Sequence, residues 1–323
     1  MKELKIFGIV AVFTLILYWG VEPFAHSQMH KHVEGHGLVY DGKADIKEAS
    51  KDRKEIEKKF WNDVAQISKL KGDPVAGEAT FAMCAGCHMK GAANMGGVTP
   101  PSLDHAGAIY DKNFLIALIK DPALATNVAH KYPVGGTIAH PMGPVTTMVT
   151  TPQDIANVVA YIKAKKAGEV TPKEAYIEAC SRCHANRYGH LTQLGEIPKT
   201  KSNIKTGQDI GALKYKEKVA EEQASLAEYL GTLPPDLSIM IRARNEHFMH
   251  VFVENPQSEL PGTAMPRTGL DKEGMEKVMA YLEKTGDPSK PKREAVGPWV
   301  LLFFFIFSIL AYLWKKSMWK GHH

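Results

Sequence analysis

Two short cysteine motifs constrain this chain more than any other feature of its sequence. The four cysteines fall in two pairs, and a histidine follows each pair directly, in residues 84–88 (CAGCH) and 180–184 (CSRCH). C-x-x-C-H is the signature of covalent haem attachment, in which two thiols add to the porphyrin and the imidazole binds the iron. The sequence therefore predicts two covalently attached haems c. The attaching cysteines are Cys84, Cys87, Cys180 and Cys183, and the proximal iron ligands are His88 and His184.

Other uses of paired cysteines explain the pattern less well. A four-cysteine zinc site needs its two pairs within roughly 15–20 residues of each other, and these pairs lie much further apart. A thioredoxin-like motif follows a strand in a βαβ pattern, and no such pattern is visible near either pair. Two disulfides would give no reason for the histidines. Both motifs together use every cysteine, so no disulfide framework is expected.

Apolar segments near the two ends predict membrane anchors. Residues 6–21 (IFGIVAVFTLILYWGV) follow two lysines, and residues 296–314 (VGPWVLLFFFIFSILAYLW) precede three more. A span needs about 20 apolar residues, so the first segment is short. A cleaved signal peptide is the alternative there, but no clear A-x-A site follows, which favours an uncleaved signal anchor. Lysines on both outer flanks place residues from about 25 to 295 outside the cytoplasm. We therefore expect a bacterial inner membrane protein whose haem domains face the periplasm.

The segments around the first motif resemble class I cytochromes c. Gly77 and Phe81 precede the motif, although the aromatic residue stands three positions before Cys84 where four is common. Thr151-Pro152 predicts the start of a closing helix that contains Tyr161. The resemblance implies a mainly α fold: two class I-like cytochrome c domains in tandem, with an N-terminal and a C-terminal transmembrane helix.

The expected organisation has five segments. The predicted boundaries are 1–25 for the signal anchor, 26–72 for a neck and an amphipathic helix, 73–168 for the first domain, 169–286 for the second, and 287–323 for the C-terminal anchor. The neck is rich in histidine. A solvated segment is expected there, and a metal site is the alternative, because histidine clusters can bind metals. The helix carries an apolar stripe, expected to pack on the first domain, made of Ile56, Phe60, Val64 and Ile67.

A methionine in the loop before each closing helix is the expected distal ligand, because a soft thioether raises the haem potential. For the first haem, Met142 lies between proline and glycine, which suits a tight loop, and Met148 is the alternative. His140 and His130 are further alternatives. For the second haem the candidate is Met265, in residues 261–267 (PGTAMPR).

The second half resembles cytochrome c1, the haem subunit of the quinol–cytochrome c reductase (bc1) complex. The resemblance rests on residues 231–238 (GTLPPDLS) and 241–244 (IRAR), and it covers roughly residues 172 to 320. It implies that His184 and Met265 ligate the second iron and that Pro234 and Pro235 line its pocket. Arg242 or Arg244 would approach the propionates, with plain surface charge as the alternative. Cytochrome c1 ordinarily has one haem and no N-terminal haem domain. Because this chain has two haem motifs, it resembles a diheme c1-type subunit.

That resemblance implies an electron-transfer role with no catalytic residue of its own. Cytochrome b and a Rieske iron–sulfur protein would be its partners, and a soluble cytochrome c or a terminal oxidase its acceptor. Electrons would enter at the second haem and leave from the first. The alternatives are a diheme subunit of a haem–copper oxidase and a diheme peroxidase, an enzyme that needs an open distal site. The net charge of +5 comes from scattered lysines, and no arginine-rich stripe suggests nucleic acid.

Overall fold

The computed structural model describes residues 2–30, 35–88, 98–132, 140–165, 169–199 and 210–320. It is mainly helical, and two π-helical segments, Leu17–Val21 and Ile177–Ser181, interrupt the α-helices. A short hairpin pairs β1 (Leu191–Thr192) with β2 (Gly195–Glu196), with Leu191 opposite Glu196. The described α-helices are, in chain order, α1 (Lys2–Ile16), α2 (Glu22–His30), α3 (Lys43–Glu48), α4 (Lys51–Ser68), α5 (Pro74–His88), α6 (Ala106–Ile109), α7 (Lys112–Lys120), α8 (Pro122–Ala125), α9 (Val145–Met148), α10 (Pro152–Ala164), α11 (Pro172–Tyr176), α12 (Ile210–Leu230), α13 (Met240–Ala243), α14 (Glu246–Glu254), α15 (Pro256–Glu259), α16 (Lys272–Gly286) and α17 (Lys290–Met318).

In the first unit, residues 74–165, α5 and α10 cross at Gly77. A Cβ at this position would overlap the carbonyl group of Asn157, so glycine lets the two backbones come into direct contact. One turn further along α5, the rings of Phe81 and Tyr161 lie 5.0 Å apart. The predicted closing helix is confirmed: it begins at Pro152, and the side chain of Thr151 caps its first turn.

The second unit, residues 171–286, repeats this arrangement with α11, the second π-helical segment and α16. The rings of Tyr176 and Tyr281 lie 4.8 Å apart. Tyr176 stands four residues before its cysteine, whereas Phe81 stands three before Cys84. The π-helical segment begins directly after Tyr176, and its wider i to i+5 turn accommodates the extra residue.

Helix α4 packs on the first unit, as its periodicity predicts. Its buried side chains contact α7 and α10, and the Ser68 hydroxyl donates to the Asn113 side-chain oxygen at 2.7 Å. The prediction is wrong for one residue of the apolar stripe, because Ile56 is 55% exposed. The buried face instead passes through Trp61 and through Glu57, whose carboxylate pairs with Arg53 at 2.6 Å.

The two units share one hydrophobic core. Their backbones meet in an antiparallel bridge between Tyr110 and Leu270. On either side of it, the Asp111 amide donates to the Gly269 carbonyl and the Asp271 amide donates to the Ile109 carbonyl, both at 2.9 Å. These paired hydrogen bonds fix the position of one unit relative to the other.

The neck segment, which we define as residues 35–48, packs against the second unit, so the expectation of a solvated segment is wrong there. Tyr40 is 3% exposed, and its hydroxyl donates to the Leu270 carbonyl at 3.0 Å. Its ring lies 5.4 Å from that of Phe114, which gives it an apolar site to fill. The side chains of His26 and His30 and all of His32 lie outside the described residues.

Two helical stretches are long and apolar enough to cross a membrane, judged by length and composition. They cover Leu4–Ala25, with a mean hydropathy of 2.1, and Lys290–Met318, with 2.3. Both leave their apolar side chains exposed. They coincide with the two segments that the sequence predicts as anchors.

Candidate haem-binding sites

The first candidate site lies at the end of α5, which carries Cys84, Cys87 and His88. The Nδ1 atom of His88 lies 2.8 Å from the carbonyl oxygen of Pro101. A carbonyl oxygen only accepts, so Nδ1 carries the proton and Nε2 keeps its lone pair for a metal. Burial lowers the pKa of His88, which favours the neutral form that a metal ligand needs.

The second candidate site repeats this geometry. The Nδ1 atom of His184 lies 2.8 Å from the carbonyl oxygen of Pro235, and burial lowers the pKa of His184. Each accepting proline is the second in a P-P-x-L segment, residues 100–103 and 234–237. Pro235 is expected near the second haem from the resemblance to cytochrome c1, whereas the role of Pro101 was not predicted. The repeated P-P-x-L would have revealed it.

The four cysteines all lie in the described part of the chain, and none of them forms a disulfide there. Burial raises the pKa of the Cys180 thiol to about 12 and also raises that of Cys183. A thiol–disulfide exchange site needs a lowered thiol pKa, because the thiolate is the nucleophile. The second pair is therefore poorly suited to thiol–disulfide exchange.

Two candidate methionines share a local construction. The amide of Met142 donates to Nδ1 of His140 at 3.1 Å, and the amide of Met265 donates to the Thr263 hydroxyl at 3.2 Å. In each loop, the side chain two residues earlier thus orients the methionine. Both are half-buried, whereas Met148 is 48% exposed. This geometry favours Met142 over Met148.

The histidine alternatives lose support. Because Nδ1 of His140 accepts the Met142 amide, the neutral ring carries its proton on Nε2, which then has no lone pair for iron. Burial lowers the pKa of His140 to about 4, so the neutral form prevails. His130 is exposed.

Side chains from both units meet between the two candidate sites. The buried carboxylate of Glu178 accepts the His105 amide at 3.0 Å. The hydroxyls of Tyr132 and Tyr229 are hydrogen-bonded across the boundary between the units. Burial is the main cause of the lowered pKa of His88 in the first motif, and the positive charge of Arg182, inside the second motif, adds to it. These contacts connect the surroundings of the two sites.

The structure places the two arginines of the c1-like segment at the surface. Arg242 and Arg244 are exposed, and the guanidinium of Arg244 lies 5.3 Å from the centre of the Phe248 ring. This placement fits surface charge. The buried arginine is Arg267, which is 3% exposed and was not predicted as a site residue. Its position directly after Met265-Pro266 was the available signal.

Comparison with known proteins identifies the class of the first unit. Residues 74–166 match the family model described as cytochrome c. The chain therefore contains a cytochrome c domain, which implies covalent haem c and electron transfer. The match spans the first motif, Met142 and the closing helix.

Two further proteins are similar to this chain over longer stretches. The ammonia monooxygenase gamma subunit of Nitrosomonas europaea (strain ATCC 19718 / CIP 103999 / KCTC 2705 / NBRC 14298) is 24% identical over 230 residues, covering 58% of this chain and 93% of that protein. A chain of a hyperthermophilic respiratory Complex III is 27% identical, covering 46% of this chain and 74% of that chain, with a TM-score of 0.35. A TM-score this low does not establish a common fold.

Proposed function

We propose that this chain is a membrane-anchored diheme cytochrome c that carries electrons away from a quinol-oxidising complex. One observation carries the proposal: the Nδ1–H group of each C-x-x-C-H histidine donates to a proline carbonyl oxygen, at 2.8 Å in both sites. Each unit also has a pair of packed aromatic rings, and in each unit the amide of the candidate methionine donates to the side chain two residues earlier. Only the first of these sites lies inside the family match, so the second rests on this repeated geometry.

The proposed ligand sets follow from the two sites. Cys84 and Cys87 attach the first haem, with His88 and Met142 as iron ligands. Cys180 and Cys183 attach the second, with His184 and Met265. The haem iron supplies the one-electron redox change, while the chain fixes the ligands and sets the surroundings. A methionine for each iron argues against a peroxidase, which needs an open distal position.

The proposed electron order places the second haem first. Support comes from how the candidate membrane segments join the folded part of the chain. The neck segment, which follows the N-terminal stretch, packs on the second unit through Tyr40 and Leu270. The C-terminal helix α17 joins the same unit, where Arg293 pairs with Asp287 at 2.6 Å. These two connections support an arrangement in which the second unit lies nearer the membrane, although the ring of Tyr40 also packs on Phe114 of the first unit.

The proposed partners are cytochrome b and a Rieske protein as electron source, and a soluble cytochrome c or a terminal oxidase as acceptor. The c1-like segment supports this choice, because it builds the second site. Pro235 accepts from His184, and the Asp236 carboxylate accepts the Arg187 amide at 3.1 Å. A diheme oxidase subunit has no need of this segment. The proposed location is the bacterial inner membrane, with both haems facing the periplasm.

Haem stoichiometry tests the proposal. Full-length protein purified from membranes should carry two haems per chain that survive denaturation, measured as haemochrome absorbance per polypeptide. Cys180→Ala with Cys183→Ala should halve this ratio, and so should Cys84→Ala with Cys87→Ala. A ratio of one haem in the unmodified protein, unchanged in the first double variant, would rule out the second site.

Met142→Leu should lower the potential of the first haem substantially. Leucine keeps the volume but removes the thioether, and axial ligands set haem potentials over a range of roughly 0.8 V. The charge-transfer absorbance between thioether and ferric iron should fall to half. Met148→Leu is the matched control and should change neither property. The reverse result would identify Met148 as the ligand.

A further inference from the structure

Arg267 is a buried cation held by the neck segment. Its side chain is 2% exposed. One guanidinium nitrogen donates to an Asp45 oxygen at 3.2 Å and another donates to the second oxygen at 2.5 Å. This is a bidentate pair, which fixes orientation as well as distance. The backbone amide of Arg267 donates to the Thr126 carbonyl at 2.9 Å. Both the side chain and the backbone of Arg267 are therefore held by parts of the chain far away in sequence.

The neck segment that carries Asp45 is attached to the second unit by other contacts as well. The Glu254 carboxylate accepts the amides of His36 at 3.0 Å and Leu38 at 2.6 Å. Tyr40 then bonds to Leu270. These contacts lie at the two ends of the segment 254–270. The neck segment is thus attached on both sequence sides of the loop that contains Met265, at Glu254 and at Leu270. Arg267, which pairs with Asp45, lies between these two attachment points in sequence.

The surroundings make this pair sensitive to the loss of either partner. Asp45 is 13% exposed, and the nearby Glu57 is 4% exposed and already bonded to Arg53. Removing one member of a buried ion pair leaves an uncompensated charge, which is strongly destabilising. Arg267 would then turn toward water and move the chain beside it. Met265 is two residues away and is held locally by the Thr263 hydroxyl.

We propose that Asp45 is a positioning residue for the Met265 ligand: through Arg267, the neck segment holds the ligand loop against the second haem. This inference rests on the proposed function, since it takes Met265 as an iron ligand. It assigns the N-terminal part of the chain a role in setting the potential of the second haem only. The candidate ligand of the first haem, Met142, lies in a different loop, where its amide donates to Nδ1 of His140.

Asp45→Asn tests the proposal in the full-length diheme protein. The substitution keeps the shape of the side chain and removes its charge. The ferric second haem should bind added imidazole at least about tenfold more tightly, because its methionine bond is weakened by the unpaired arginine. The thioether charge-transfer absorbance should fall toward half, and the potential of the second haem should drop. The first haem should keep its potential, which reports that the chain is still folded.

Asp41→Asn is the matched control. Asp41 lies in the same neck segment, but its partner Lys43 is 88% exposed at the side chain, so imidazole affinity should stay at the unmodified value. If Asp45→Asn gives no folded protein, Asp45→Glu keeps the charge but shifts it by one methylene, and it should show an intermediate increase in affinity. Asp45 variants that match Asp41→Asn would overturn the inference.

Met265→Ala separates this inference from the proposed function. If it leaves the charge-transfer absorbance intact, the ligand assignment itself fails, and the inference fails with it. If it halves the absorbance while Asp45→Asn has no effect, the ligand assignment stands and only the role of the neck segment is refuted.

Discussion

Gly77→Val should destabilise the first unit by about 3 kcal/mol or more. A side chain at this position meets the carbonyl group of Asn157 and the Cβ of Tyr161. Overpacking inside a core costs roughly 1–3 kcal/mol where side chains can yield. Here the obstacle is mostly helix backbone, which cannot move without separating α5 from α10. Chemical unfolding followed by circular dichroism would measure the loss.

Ala79→Val places the same side chain on the exposed face of the same helix. It should cost no more than the roughly 0.7 kcal/mol of lower helix propensity. The position and the ligation of the first haem should also change in the Gly77 variant, because the helix that carries Cys84 and His88 is displaced. Equal losses for the two valine variants would show that the helix crossing at Gly77 is not close-packed.

The parts of the fold that local sequence specifies were predictable. The two C-x-x-C-H motifs lie at the ends of helical segments, and α10 begins where Thr151-Pro152 predicts. Capping residues, a proline at the first helical position and apolar periodicity act within a few residues. For the same reason α4 was predicted correctly as an amphipathic helix that packs on the first unit.

Contacts between distant segments were not predictable. The bridge from Tyr110 to Leu270 and the ion pair from Asp45 to Arg267 join residues with no shared local pattern. Tyr40 lies in a polar stretch that reads as solvated. It is buried because the second unit offers the Leu270 carbonyl as an acceptor and the first unit offers the ring of Phe114 as an apolar surface. Only the assembled core supplies these partners.

Glu178→Gln should make the protein more stable at pH 8, by an amount of the order of 4 kcal/mol, while changing little near pH 4.5. Glu178 is 5% exposed. One carboxyl oxygen accepts the His105 amide, and the other has no hydrogen-bond partner among the residues that the structure describes. Burial raises its pKa to about 8; Asp104 adds to the shift, while the His105 amide, Arg182 and Lys165 oppose it.

The sign follows from proton linkage. The folded protein binds this proton more tightly than the unfolded chain, whose glutamate pKa is about 4.3. The contribution of Glu178 to stability is therefore complete below about pH 4.3 and is lost as pH rises toward 8. Each unit of pKa difference corresponds to 1.36 kcal/mol. The glutamine amide does not titrate and can still accept from His105. Urea unfolding at several pH values between 4.5 and 8 would measure the difference between variant and unmodified protein.

Glu174→Gln is a control of opposite sign. The hydroxyl of Thr171 donates to the Glu174 carboxylate and lowers its pKa, so its contribution is present at neutral pH and lost as pH falls. Glu174→Gln should therefore be less stable than the unmodified protein at pH 7, and the gap should close in acid. The Glu178 variant should show a gap that opens toward alkaline pH instead. If the stability difference between the Glu178 variant and the unmodified protein stayed constant from pH 4.5 to 8, the pKa of Glu178 would be the ordinary one, held there by a counter-charge beside it.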